Sequence, residues 1–202
     1  MTSQKQQVVV IHGGDTFDTY DQYIEYLKSI EVDPSYFESG GWKQTLQEKL
    51  GDRYEVIRLQ MPCKWNAKYL EWKIWFEKFA PFFQENAIFV GHSLGGIFLA
   101  KYFSEESYSR KIKALFLVAA PYSSSDTESL ADFVLKGSVV PLAEKTSSIY
   151  LYHSSDDPVV SISELEKYQT DLPNATSRLF NDRGHFRGEL PEIIADIEKL
   201  EH

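Results

Sequence analysis

The sequence predicts an α/β fold in which helices cover both faces of a mostly parallel sheet. Three observations carry that prediction. Short β-rich runs recur along the chain, longer amphipathic segments separate them, and the first run, Val8-Val9-Val10-Ile11, is apolar at every position, as suits a strand buried on both faces. Strands alternating with helices of about ten or more residues imply right-handed crossovers and parallel pairing. The chain of 202 residues shows no repeat, low-complexity tract or linker, so 1–202 is read as a single domain.

The elements follow in order. The run at residues 8–11 stops at His12-Gly13-Gly14, and helical patterns then run from Tyr20 to Ile30 and from Trp42 to Leu50, separated by the breakers Pro34 and Gly40-Gly41. A second β run, Tyr54 to Leu59, is ended by Pro62. Trp72, Trp75, Phe76, Phe79 and Phe83 recur at three- and four-residue steps, which lines them along one helix face for packing on the sheet. Ala87 to Val90 is the third β run, and a helix from Leu94 to Phe103 starts directly behind Gly91-His92-Ser93. Further β runs are expected at Ile112 to Ala120, Ile149 to His153 and Thr176 to Phe180, with helices at Ser161 to Leu172 and Glu189 to Leu200. Between Tyr122 and Leu142, the helical spacing of Leu130, Phe133 and Val134 predicts a minimal cap over an open pocket.

Composition narrows the function. With 43% hydrophobic and 25% charged residues the chain is of ordinary globular make-up. A net charge of −9, from 21 basic and 30 acidic residues, without a basic block, argues against nucleic acid as a ligand. Cys63 is the only cysteine, so no internal disulfide and no thiolate metal cluster is expected, which favours a reducing compartment. Residues Met1 to Gln7 are polar, and no apolar stretch approaches the roughly 20 residues of a membrane span. The expectation is a cytoplasmic protein without membrane contact.

In parallel sheets, functional groups collect on loops beyond the carboxyl ends of the strands. There Gly91-His92-Ser93-Leu94-Gly95 matches G-x-S-x-G between a β run and a helix, the setting in which a strained turn exposes a nucleophilic serine. The bland alternative makes Ser93 a helix N-cap. A serine hydroxyl needs a base, ordinarily histidine. Of the five histidines, His12 and His92 lie beside their own turns, His153 ends a strand and His202 closes the chain. His185, between the last β run and the closing helix, remains. Its imidazole needs a carboxylate to fix the tautomer, and Asp156 and Asp157 both follow the β run ending at His153. Asp157, preceding Pro158, is the preferred partner, with Asp156 left to cap a turn. For the oxyanion, Leu94 can offer its backbone N–H at a helix N-terminus, and the loop after the first strand can offer Gly14, or else Asp15.

Together these segments, HGG, GHSLGG, HSSDDPVV and GHF, resemble the α/β-hydrolase superfamily across nearly the whole chain. Met61-Pro62, Asn66, Tyr69 and Glu71-Trp72 resemble, within it, the small serine hydrolases typified by retinoblastoma-binding protein nine and YdeN. Ser161 stands where the superfamily often has proline, and the first loop reads HGG rather than a PG-like form. The resemblance implies a Ser93–Asp157–His185 triad hydrolysing small carboxylic esters or related acyl compounds with neither metal nor organic cofactor. It leaves open ester against amide or thioester, and oligomeric state. The rival is a protein of this fold that binds a partner without turnover.

Overall fold

The computed structural model describes residues 4–32, 41–124 and 129–201. Pro34, Gly40, residues 125–128 of the expected cap, and His202 lie outside them. Six strands form one sheet: β1 (Gln6–Ile11), β2 (Tyr54–Leu59), β3 (Ala87–His92), β4 (Ile112–Val118), β5 (Ile149–Ser154) and β6 (Thr176–Phe180). Every neighbouring pair is parallel, and the order is β2-β1-β3-β4-β5-β6. Reversal of the order beside β1 puts the ends of β1 and β3 at the switch point, where crevices open in such sheets.

Seven helices flank the sheet among the described residues: α1 (Tyr20–Ser29), α2 (Trp42–Leu50), α3 (Tyr69–Phe79), α4 (Leu94–Glu105), α5 (Leu142–Lys145), α6 (Ile162–Asp171) and α7 (Pro191–Lys199). The continuous apolar strands divide their side chains between two cores. Val9, Ile11, Phe89, Leu115 and Leu117 pack with Trp72, Phe76, Phe98 and Tyr168 from α3, α4 and α6. Val8, Val10, Ile88, Val90 and Phe116 face the opposite way, onto Trp42, Leu46, Ile193 and Ile197 from α2 and α7. Period-two alternation therefore has no polar side to show at these positions.

Three local expectations differ from the structure. The aromatic helix stops at Phe79, because Pro81 allows only a 3-10 turn over Ala80–Phe82. Of its stripe, Trp72, Phe76 and Phe83 are buried, whereas Trp75 sits at the rim and donates its indole N–H to the Gln60 carbonyl at 2.9 Å. Among the described residues of the segment from Tyr122 to Leu142, the expected helical spacing yields a 3-10 turn, Ala131–Phe133. Leu130 and Phe133 are buried in the first core, with Phe133 edge-on to Trp72.

Under α7 and β6 lies a buried carboxylate. Asp196 accepts Nε and Nη2 of Arg178, both at 2.8 Å, and the Tyr152 hydroxyl at 2.6 Å. Burial would raise its carboxyl, but the bonds from Arg178, Tyr152 and Lys199 outweigh it and hold the group below its ordinary value. A carboxyl depressed in the folded state stabilises the fold above its unfolded value, near 3.9, and that contribution fades as the pH falls toward the folded value. Asp196→Asn is therefore expected to cost about 2 kcal/mol at pH 7, a modest figure because Arg178 is partly solvated. In urea melts the deficit should shrink below about pH 4; a deficit independent of pH would contradict the assignment.

Candidate active site

The serine turn is made by backbone crowding. A Cβ at Gly91 would stand 2.4 Å from the Gly95 carbonyl oxygen, and one at Gly95 would stand 2.5 Å from the carbonyl oxygens of both Ile11 and His12. Only glycines let β3, α4 and β1 approach so closely. Between them Ser93 adopts φ 54°, ψ −124°, a left-handed conformation that strains a residue with a Cβ. The turn is held by the Ser93 N–H on the Val118 carbonyl at 2.8 Å and the Gly96 N–H on the Ser93 carbonyl, also at 2.8 Å. The Ser93 side chain makes no cap hydrogen bond to α4, so the N-cap alternative does not describe it. Its hydroxyl, without a hydrogen-bond partner among the described residues, lines a cavity of about 590 Å³, a size suited to a small-molecule ligand.

His185 lines the same cavity. Its Nδ1 lies 2.9 Å from Asp157 Oδ2 and 3.1 Å from Oδ1. An ionised carboxylate only accepts, so Nδ1 carries a proton, and in the neutral imidazole the lone pair is on Nε2. Asp157 is fully buried at its side chain and accepts the N–H groups of Val159 at 2.8 Å and Val160 at 3.1 Å. Burial pushes its carboxyl up, but the hydrogen bond and charge of His185 and the two backbone donors bring it below the ordinary value. Asp156 points elsewhere: it accepts the Ser154 hydroxyl and the Gly184 N–H, the latter at 2.9 Å. It thus braces the loop that carries His185.

That loop is fastened by residues the sequence reading passed over. Phe186 (φ 52°) is buried in the second core, and its carbonyl accepts the Trp42 indole N–H at 3.0 Å. His92 Nε2 donates to the His185 carbonyl at 2.9 Å, leaving Nδ1 to accept Lys43 Nζ at 3.0 Å. Burial, reinforced by the charges of Lys43 and His185, keeps His92 well below the ordinary histidine value, hence neutral. The position of His92 inside the serine motif was the available signal; its partners, 49 and 93 residues away, were not.

The first loop is ordered by His12. The Met61 N–H donates to His12 Nε2 at 2.9 Å, so Nδ1 bears the proton and donates to the Gly13 carbonyl at 2.5 Å. The Gly13–Gly14 peptide is trans, as are the others among the described residues, so the Gly14 N–H points away from that carbonyl. The Asp15 N–H is already committed to the Lys64 carbonyl at 2.8 Å. Leu94 opens α4, where the first-turn N–H groups have no partner within the helix. None of the described residues from Tyr122 to Leu142 lines the cavity.

A family model described as serine hydrolase matches residues 34–190. Among solved structures, the ydeN gene product from B. subtilis superposes with a TM-score of 0.71 at 19% identity, over 98% of this chain and 99% of that one. A YdeN-like hydrolase from Pectobacterium atrosepticum gives 0.58 at 14% identity, over 97% and 90%, and Est1E from Butyrivibrio proteoclasticus gives 0.60 at 14%, over 98% and 87%. At these identities the likeness is one of fold. No curated protein gives a significant sequence match.

Proposed function

Because the chain belongs to the serine hydrolase family within the α/β-hydrolase superfamily, we propose that it hydrolyses small carboxylic esters or related acyl compounds through an acyl-enzyme. In this reading Ser93 attacks the carbonyl and His185 Nε2 takes the hydroxyl proton. Asp157 holds the imidazole and stabilises the imidazolium. The N–H groups of Leu94 and Gly14 bind the oxyanion, and His185 returns the proton to the leaving group before activating the water that frees the acid. The observation that carries the reading is the 2.9 Å contact between His185 Nδ1 and Asp157, which in the neutral imidazole leaves the lone pair on Nε2, with His185 lining the same cavity as Ser93. Asp156, bonded to the Gly184 backbone, supports the choice of Asp157. The solitary Cys63 fits a cytoplasmic setting, and among the described residues no helix is long and apolar enough to cross a membrane.

The test is turnover of 4-nitrophenyl esters of graded acyl length. Hydrolysis should be fastest for short chains, since the cavity has more polar than apolar lining groups and gains little from a long alkyl tail. A strong preference for long chains would contradict this reading of the substrate class.

A further inference from the structure

The charge of the cavity opposes that of the chain. The protein carries a net charge of −9, yet Lys43, Arg58, Lys64 and Arg187 line the space around Ser93, and Asp15 is the one carboxylate among the described lining residues. They come from α2, β2, the loop after β2 and the loop behind His185, so the fold gathers a cluster that no basic run announces. Among the described residues, none of the four is within ion-pair distance of a carboxylate.

Lys43 is the most telling member. The residue is half-buried, and its hydrogen-bond partner is the neutral imidazole of His92, the residue before Ser93. Burial, with the charge of Arg187 beside it, pushes Lys43 down to about 8. A desolvated cation without a counter-ion is unfavourable, and an anion entering the cavity reverses the imbalance. Asp15 lines the same cavity, and burial pushes its carboxyl up against the pull of Arg187, Lys64 and His185.

We propose that the natural substrate is an acyl compound bearing a second, anionic group of the carboxylate type, held by Lys43 and Arg187 while the scissile carbonyl lies at Ser93. This rests on the hydrolase reading above and names its substrate class. Arg187 offers a planar fork suited to two oxygens, and Lys43 a point charge.

The experiment compares 4-nitrophenyl hydrogen glutarate, which is anionic, with the neutral 4-nitrophenyl methyl glutarate. The parent is expected to favour the anionic ester at least about tenfold in kcat/KM, the scale of one charge-assisted hydrogen bond. Arg187→Gln and Lys43→Gln should each lower that ratio by about tenfold, and added salt should lower it in the parent. A parent ratio near one, or a ratio unmoved by both substitutions, overturns the proposal. If neither ester is turned over and Ser93 is not labelled by a fluorophosphonate, the hydrolase reading fails. The anion site is then judged separately by calorimetric titration with glutarate. Binding by the parent and its loss in folded Arg187→Gln would support the site; absence of binding by the parent would overturn it.

Discussion

Ser93→Ala is expected to lose ester turnover by a factor of about 10⁵ or more, the scale seen when a serine nucleophile is removed from an intact triad. The fold should survive, because the groups that hold the elbow are backbone: the Ser93 N–H on Val118 and the Gly96 N–H on the Ser93 carbonyl. The strain survives as well, since alanine keeps the Cβ that makes φ 54° unfavourable. Ser93→Gly removes that Cβ and should be equally inactive yet more stable than the alanine protein by about 1 kcal/mol. Thermal melts of the two variants beside the parent separate loss of chemistry from loss of structure. An alanine protein that is folded and still active would remove Ser93 from the mechanism.

The second large effect is expected from Asp157→Asn, a fall in kcat of about 10⁴-fold. The reason is the tautomer. With a carboxylate at 2.9 Å, His185 Nδ1 must carry the proton. An amide can instead present its NH₂ to that nitrogen, which moves the proton to Nε2, where it blocks acceptance from Ser93. The Val159 and Val160 N–H groups favour an oxygen at their end, which turns the NH₂ toward His185. Asp156→Asn is the informative neighbour. It weakens the brace at Ser154 and Gly184 without touching the imidazole, so it should cost no more than about tenfold in kcat, an effect of loop position rather than proton transfer. Equal losses in the two variants would contradict the division of labour between adjacent carboxylates. The same carboxylate gives a pH expectation: held below its ordinary value, Asp157 stays ionised through the neutral range, and its stabilising contribution is lost only as the pH falls below that of an ordinary carboxylate.

Much of the fold was legible because parallel α/β sheets write their strands as unbroken apolar runs. Val8 to Ile11 could not be an exposed strand, and Ala87 to Val90 leading into a glycine-flanked serine could hardly end anywhere but in a tight turn. The helix ends were less legible. Pro81 was present in the sequence, yet the aromatic spacing across it suggested continuity that the proline forbids. In the expected cap segment, Leu130, Phe133 and Val134 have helical spacing, but among the described residues a three-residue turn satisfies it, and Leu130 and Phe133 are drawn into the core with Trp72. At the candidate site, Ser93, Asp157 and His185 each stand in a local motif that singles them out. Lys43, Arg58, Lys64 and Arg187 do not, since each is an unremarkable basic residue until the sheet brings four segments to one rim. His12 and His92 were set aside as turn residues. Both are that, and each also fixes a peptide on which the site depends.

The central claim is that Ser93 is an activated nucleophile, and the most direct measurement is labelling of the purified parent and its Ser93→Ala variant with a fluorophosphonate probe, read by intact mass. The account predicts one adduct on the parent, on the peptide containing Ser93, and none on the variant. A folded parent that takes no label, or a variant labelled as readily as the parent, would contradict it.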